Sequence, residues 1–240
     1  MLYLYGKNSV RERLLQNPKS IQEVWVRKQF DTKDILHLLN THNIFYHICA
    51  DKDVGKYVPG KKHQGIVAKV EGFEYACLDK ILESKNLPIL IFLDQVQDPQ
   101  NLGNIMRTLA CFGNIVLCVT KQRSCAVNQT VLHVASGAEN HVQVVLVHNM
   151  INTFIKIKQK GYWTCGTVIE QGESLNSIDL PFPLAIALGS EGGGLGPAIK
   201  KYLDFLITIP MNGANLSFNV SNATAILAYE SIKQKQIKEK

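Results

Sequence analysis

Residues 88–120 read PILIFLDQVQDPQNLGNIMRTLACFGNIVLCVT. The opening PILIFLD is a continuous apolar run, as a strand buried on both faces of a parallel sheet requires. QVQDPQN is a turn, and Asn101 is placed to cap the helix that follows. Within LGNIMRTLACFG the residues Leu102, Ile105, Met106, Leu109 and Ala110 fall at i, i+3, i+4, i+7 and i+8, one helical face. NIVLCVT then returns to an apolar strand. Strand, helix and strand in this order predict a parallel α/β domain.

The same alternation continues toward the C-terminus. A helix is expected around Val127–Ala135, then the strand HVQVVLV, the helix INTFIKIKQKG and the strand YWTCGTVIE. PLAIAL and LITIP are two further strands before an Ala-rich terminal helix, whose polar tail SIKQKQIKEK reads as frayed. Toward the N-terminus the signals are shorter and mixed. YGKNSVRERLL reads as a helix capped by Asn8 and Ser9, IQEVWV as a strand, and DTKDILHLLNTHN as an amphipathic helix. IFYHIC and HQGIVAKV are strands, and a short helix signal spans Leu78 to Leu82. These boundaries give a small α+β domain over 1–72, a linker over 73–87 and the α/β domain over 88–240.

Composition narrows the class. With 240 residues, 46% hydrophobic and 19% charged, the chain can bury a sizeable core. No apolar run reaches the roughly 20 residues that span a bilayer, and MLYLYGKNSVRERLL lacks the plan of a secretion signal. The expectation is a cytoplasmic protein with no membrane partner. The six cysteines are scattered without a Cys-x-x-Cys pair, so neither a disulfide framework nor a zinc site is expected. A net charge of +6 suits an anionic partner such as RNA, although many proteins of such charge bind nothing anionic.

Three loops could carry chemistry. In DPQNLGNIMR, Asn101, Asn104 and Arg107 form a polar stripe just beyond the carboxyl end of a parallel strand, where open α/β sheets place ligands. The alternative is a helix cap, a close-packed glycine and a solvated arginine. LGSEGGGLGP has five glycines between Gly189 and Gly196, so its backbone approaches something closely or takes positive φ. Neither a dinucleotide fingerprint nor a Walker loop can be placed on it. Its carboxylate, Glu191, favours a cationic or neutral ligand over a phosphate. In IPMNGANLSFNVS, any of Ser217, Asn219 and Ser221 could cap the terminal helix, yet one cap needs one residue.

Taken in order, the three loops resemble the SpoU (TrmH-type) RNA ribose methyltransferases of the SPOUT superfamily. The family motifs Asp-Pro-x-Asn-x-Gly-x-x-x-Arg, Gly-x-Glu-Gly-x-Gly and Ile-Pro-Met with Ser-Leu-Asn-Val correspond to DPQNLGNIMR, GSEGGG and IPMNGANLSFNV. The N-terminal part, with YGKNSVRERLL and KKHQGIVA, resembles the ribosomal-protein-like RNA-binding unit of the bacterial branch that methylates a 23S rRNA guanosine. The resemblance implies a trefoil knot at the C-terminal end, S-adenosylmethionine as methyl donor and a homodimer. It also implies functional roles for Asn101, Arg107, Glu191, Ser217 and Asn219, with cofactor contacts, largely through backbone, at Gly189, Ile209 and Phe218. Phe218 departs from the family, which usually has Leu at that position.

The implied reaction is in-line methyl transfer from a sulfonium to a ribose 2′-hydroxyl. The donor is already activated, so no metal is required, and the enzyme has to align the hydroxyl and share its proton. The three loops supply no His and no carboxylate pair. Arg107 stays protonated, so it is read as holding the 2′-oxygen or the adjacent phosphate, with Asn101 and Asn219 orienting it. The expected function is therefore a 2′-O-methyltransferase acting on 23S rRNA. The alternatives are the same chemistry on tRNA and a non-catalytic RNA-binding protein of the same fold; a dinucleotide oxidoreductase is disfavoured by the missing fingerprint.

Overall fold

The computed structural model describes residues 2–29, 33–190, 192–213 and 216–239. They divide into two compact units, residues 1–74 with 127–141, and residues 75–126 with 142–240.

The first unit is built on a four-stranded sheet in the order β1-β4-β2-β3, from Leu2–Tyr5, Ile66–Val70, Ile21–Arg27 and Tyr46–Cys49. β4 runs antiparallel to both β1 and β2, and β3 is a parallel edge strand beside β2. Alternation along β2 explains the two faces. Val24 and Val26 are fully covered on one side, while Trp25 joins Tyr5, Val54, Val58 and Val67 in a separate cluster on the other. Helix α1 (Lys7–Gln16) packs on β1, on β4 and on α2 (Lys33–Thr41), whereas α3 (Asp51–Gly55) packs on β2 and β4. The residue before α1 is Gly6 at φ 95°, so the helix starts one residue ahead of the expected Asn8 and Ser9 caps. A glycine can take that φ at no steric cost, and the backbone turn replaces a side-chain cap.

A buried ion pair lies inside this unit. Arg13 donates from Nη2 to Glu139 Oε1 at 3.2 Å and from Nη1 to Ser20 Oγ at 3.3 Å. Glu139 follows α6 (Gln129–Ala135), a helix anchored on β1, where His133 stacks on Tyr5 with ring centroids 4.0 Å apart.

The second unit is a parallel α/β sheet of seven strands in the order β7-β6-β5-β10-β8-β11-β9. The strands are Gln143–Val147, Ile115–Thr120, Ile89–Leu93, Leu184–Leu188, Trp163–Thr167, Phe205–Thr208 and Glu173–Ser174, and every pairing is parallel. β5 and β10 are buried at every position, as their unbroken apolar runs require. Residues 75–87 pack on this unit: Ala76 N–H donates to Val144 O, and Ile81 and Leu82, in and after α4 (Leu78–Ile81), enter its core.

Helix α5 (Pro99–Phe112) begins earlier than its apolar face suggests. Asp98, not Asn101, is the cap, its Oδ1 accepting from Gln100 N–H at 2.9 Å ahead of Pro99 at the first helical position. The later helices are α7 (Met150–Lys158), α8 (Pro197–Lys200) and α9 (Val220–Lys238), of which α9 packs along α5. The polar tail is not frayed. Lys235 is buried, its Nζ donating to Leu87 O at 2.9 Å, and Lys238 donates to Leu180 O at 2.8 Å. No helix among the described residues is long and apolar enough to cross a membrane.

Candidate active site

β10, β8 and β11 are sheet neighbours running in the same direction, so the loops that leave them emerge at one edge. Between these loops lies a cavity of about 700 Å³, a volume in the range of small-molecule sites. The loop after β10 contributes Gly189, Ser190 and Leu195, the loop after β8 contributes Thr167–Gln171, and the segment from β11 into α9 contributes Ile209, Met211 and Ser217–Val220.

The glycine loop is folded tightly on itself. Gly194 N–H donates to Ser190 O at 3.0 Å, and a Cβ at Gly189 would stand 2.0 Å from Gly194 C and 2.2 Å from Leu195 N. No side chain fits there, so Gly189 is required for the loop to close. Gly194, at φ +60°, meets the other glycine requirement, a left-handed turn. Gly172 serves the neighbouring loop in the same way, since a Cβ there would lie 2.7 Å from Ile207 C.

Asn219 is the cap of α9. Its Oδ1 accepts from Ser221 N–H at 2.8 Å and from Ser221 Oγ–H at 2.7 Å, which leaves the amide nitrogen as its remaining polar group. Ser217 and the half-exposed ring of Phe218 also belong to the cavity lining. Five residues singled out from the sequence (Gly189, Ile209, Ser217, Phe218 and Asn219) are thus brought to one cavity. Asn101 and Arg107 are not in the lining. Asn101 is buried in the first turn of α5, and Arg107 is exposed two turns later. Glu191 lies outside the described residues.

The motifs gave no warning of the loop after β8. It brings the carboxylate of Glu170 to the cavity, opposite in charge to Lys200 of α8, which also lines it. Only the apolar run YWTCGTVIE and the strand end it implies pointed there. Asp94, closing β5 at the same edge, is buried with its N–H on Leu188 O; burial pushes its carboxyl above the usual range, against an opposing hydrogen bond with Gln95.

The strands that hold the cavity open are clamped at their other ends. Asp204 Oδ2 accepts from Thr164 N–H at 2.8 Å and Thr164 Oγ1 at 2.9 Å, and Oδ1 accepts from Lys158 Nζ at 2.7 Å. Burial acts to raise Asp204, but the hydrogen bonds from Lys158 and Thr164 outweigh it and hold the carboxyl below the usual range.

Comparison with known proteins agrees with this architecture. The family model described as the SpoU rRNA Methylase family matches residues 88–229, and that described as RNA 2′-O ribose methyltransferase substrate binding matches residues 3–76. A Bacillus subtilis protein named only as a TrmH family tRNA/rRNA methyltransferase, YacO, is 35% identical over 95% of this chain and 94% of its own. The 23S rRNA (guanosine-2′-O-)-methyltransferase RlmB of Nitrosomonas europaea is 34% identical over 97% of this chain and 91% of its own. Among solved structures, the SpoU methyltransferase AviRb of Streptomyces viridochromogenes, in complex with AdoMet, superposes with a TM-score of 0.79 at 21% identity, over 97% of this chain and 90% of that one. With both family models matched in order along one chain, and full-length relatives above 30% identity, the chain belongs to the SpoU rRNA methylase family.

Proposed function

We propose that this protein methylates the ribose 2′-hydroxyl of a guanosine in 23S rRNA, with S-adenosylmethionine as donor. The observation that carries the reading is the cavity where the ends of β10, β8 and β11 converge on the self-packed loop at Gly189. Its lining suits the donor. Ile209, Met211 and Phe218 offer apolar surface to an adenine ring, the glycine loop offers backbone groups, and Glu170 and Lys200 offer one charge of each sign to an amino-acid end. When bound, S-adenosylmethionine supplies an activated methyl group on a sulfonium.

The chain's own residues then have to hold the acceptor in line. Arg107 is the cation for the 2′-oxygen or the adjacent phosphate, a role for which its exposure on α5 leaves it accessible. Asn219 spends its oxygen on the helix cap, so only its amide nitrogen remains to orient the substrate. Ser217, exposed beside it, is free to meet the ribose, and Asn101 is assigned with Asn219 to orienting Arg107 and the substrate. Glu191 is assigned to the acceptor side or to the sulfonium's charge. The first unit, matched by the substrate-binding model, holds the RNA. The trefoil knot, the homodimer and the cytoplasmic location belong to the same proposal, as does a division into a binding domain over 1–72, a linker and a catalytic domain over 88–240.

Guanosine in 23S rRNA rests on relatives such as the Nitrosomonas RlmB, whereas the Bacillus relative's name spans tRNA and rRNA. Mapping ribose methylation in total RNA from cells with and without the gene decides between them. The expected result is loss at one 23S guanosine. Loss at a tRNA position with rRNA unchanged would overturn the substrate, and no loss at any ribose would overturn the activity.

A further inference from the structure

One surface of the first unit has no part in the site above. Five rings run without a break across one face of its sheet. Tyr3 lies 5.4 Å from Tyr57, Tyr57 stacks on Trp25 at 3.9 Å, Trp25 on His47 at 5.9 Å and 13°, and His47 meets Phe45 edge-on at 4.7 Å. The middle of this row is core, for Trp25 is 7% exposed. The outer end is not. Phe45 is 65% exposed beside the edge strand β3. His47 is held in place, its Nε2 at 2.6 Å from Glu23 Oε1, so its ring plane stays aligned with Trp25.

An exposed aromatic end backed by a fixed His47 beside an edge strand calls for an occupant. Charge decides which kind. β3 runs from Tyr46, next to Phe45, to Cys49, whose O accepts from the backbone N–H of the exposed Lys28; exposed Lys52 follows on α3, while Lys56 is paired with Asp53 and Arg27 with Asp51. Over about 13 Å of strand, ring surface gives way to a charged end where Asp51 and Asp53 each have a cation partner, and Lys28 and Lys52 supply the remaining positive charge. That sequence of rings followed by ammonium groups matches unpaired RNA, whose bases stack on aromatics while its phosphates seek positive charge.

We propose that the β3 edge of the first unit is a stacking platform for unpaired bases of the RNA substrate, with Phe45 as its terminal ring, His47 and Trp25 as its backing, and Lys28 and Lys52 beside the phosphates. The proposal rests on the RNA methyltransferase reading and adds which surface holds the RNA and in which form. Glu23 keeps its negative charge, but it sits on His47 at the aromatic end of the strand pair and not at the lysine end.

The test measures binding of a labelled single-stranded RNA oligonucleotide, and of the same sequence as a duplex, by fluorescence anisotropy over a range of salt. The full chain is compared with its Phe45→Ala and Phe45→Tyr variants. Phe45→Ala is expected to weaken single-strand binding by about 10- to 100-fold, with duplex binding and the salt slope unchanged. Phe45→Tyr is expected to restore it. In methyl transfer to 23S RNA, Phe45→Ala should raise KM and leave kcat and donor affinity unchanged. Unaltered single-strand binding by Phe45→Ala, or equal losses on single strand and duplex, would overturn the platform. So would a change in self-association, read by sedimentation, with RNA binding intact, since that assigns the edge to a second copy. Phe45-dependent binding by a protein that methylates no 23S RNA would leave the platform standing and remove the substrate reading instead.

Discussion

Gly189 and Gly194 stand so close that a single methyl group on the first would fall 2.0 Å from the carbonyl carbon of the second. Overlap with backbone cannot be relieved by a rotamer change, so Gly189→Ala must open the loop. We expect it to abolish S-adenosylmethionine binding in calorimetry and to lower the melting temperature. Gly196→Ala, outside the cavity lining and with nothing within 4 Å of an added Cβ, should bind the donor normally. Normal binding by Gly189→Ala would remove this loop from the donor site.

Arg107 lies outside the cavity lining, exposed on α5. Arg107→Ala should therefore lower kcat for RNA methylation by about 10²–10³, the loss typical of one charge-stabilising donor, with the donor's Kd nearly unchanged. A near-normal rate would end its assignment to the acceptor. A large rise in the donor's Kd would move it to the cofactor side.

Asn219 joins two roles that a substitution can separate. Asn219→Ala removes the α9 cap and should cost about 1 kcal/mol in denaturant unfolding. Asn219→Asp keeps the oxygen that accepts from Ser221 and should keep stability within about 0.5 kcal/mol. If the amide nitrogen serves the substrate, Asn219→Asp still loses methylation. A fully active Asn219→Asp protein would leave Asn219 as a cap alone.

Asp204 couples the clamp between β8 and β11 to pH. Its carboxyl is held below its unfolded-state value, so its stabilising contribution is complete above about pH 5 and fades as pH falls through 4 and below. Asp204→Asn should be less stable than the parent by about 1–2 kcal/mol at neutral pH, the cost of weakening a charge-assisted network. The gap should close in acid, as read from urea titrations along a pH series.

The Arg13–Glu139 pair behaves in the opposite sense. Burial pushes the Glu139 carboxyl upward, and the Arg13 guanidinium only partly offsets it. With the folded pKa above the unfolded one, this group's effect on stability declines as pH rises from about 4.3 through the folded value. Glu139→Gln keeps an acceptor for Arg13 and should remove that decline. Arg13→Ala strands a buried carboxylate and should cost about 3–5 kcal/mol.

What could be read along the chain was whatever depends on neighbours in sequence. Ile89–Leu93 and Leu184–Leu188 announce buried strands because every residue must be apolar, and Leu102 to Ala110 announce a helix by spacing alone. The glycines at 189–196 and the polar residues at 217–219 were legible as unusual. The helix starts at Lys7 and Pro99 were missed because several residues could serve as caps, and local backbone geometry chose among them.

The tertiary structure alone decided which loops meet. Inserting β10 between β5 and β8, and β11 beyond β8, sets the loop carrying Glu170 beside the glycine loop and the Ser217–Asn219 segment. No local pattern encodes that strand order, because it is fixed by burial of both sheet faces among residues up to a hundred positions apart. The same holds for Arg13 and Glu139, separated by 126 residues, and for the row of rings ending at Phe45. Sequence determined the elements and the chemistry they carry; packing determined which of those groups share a site.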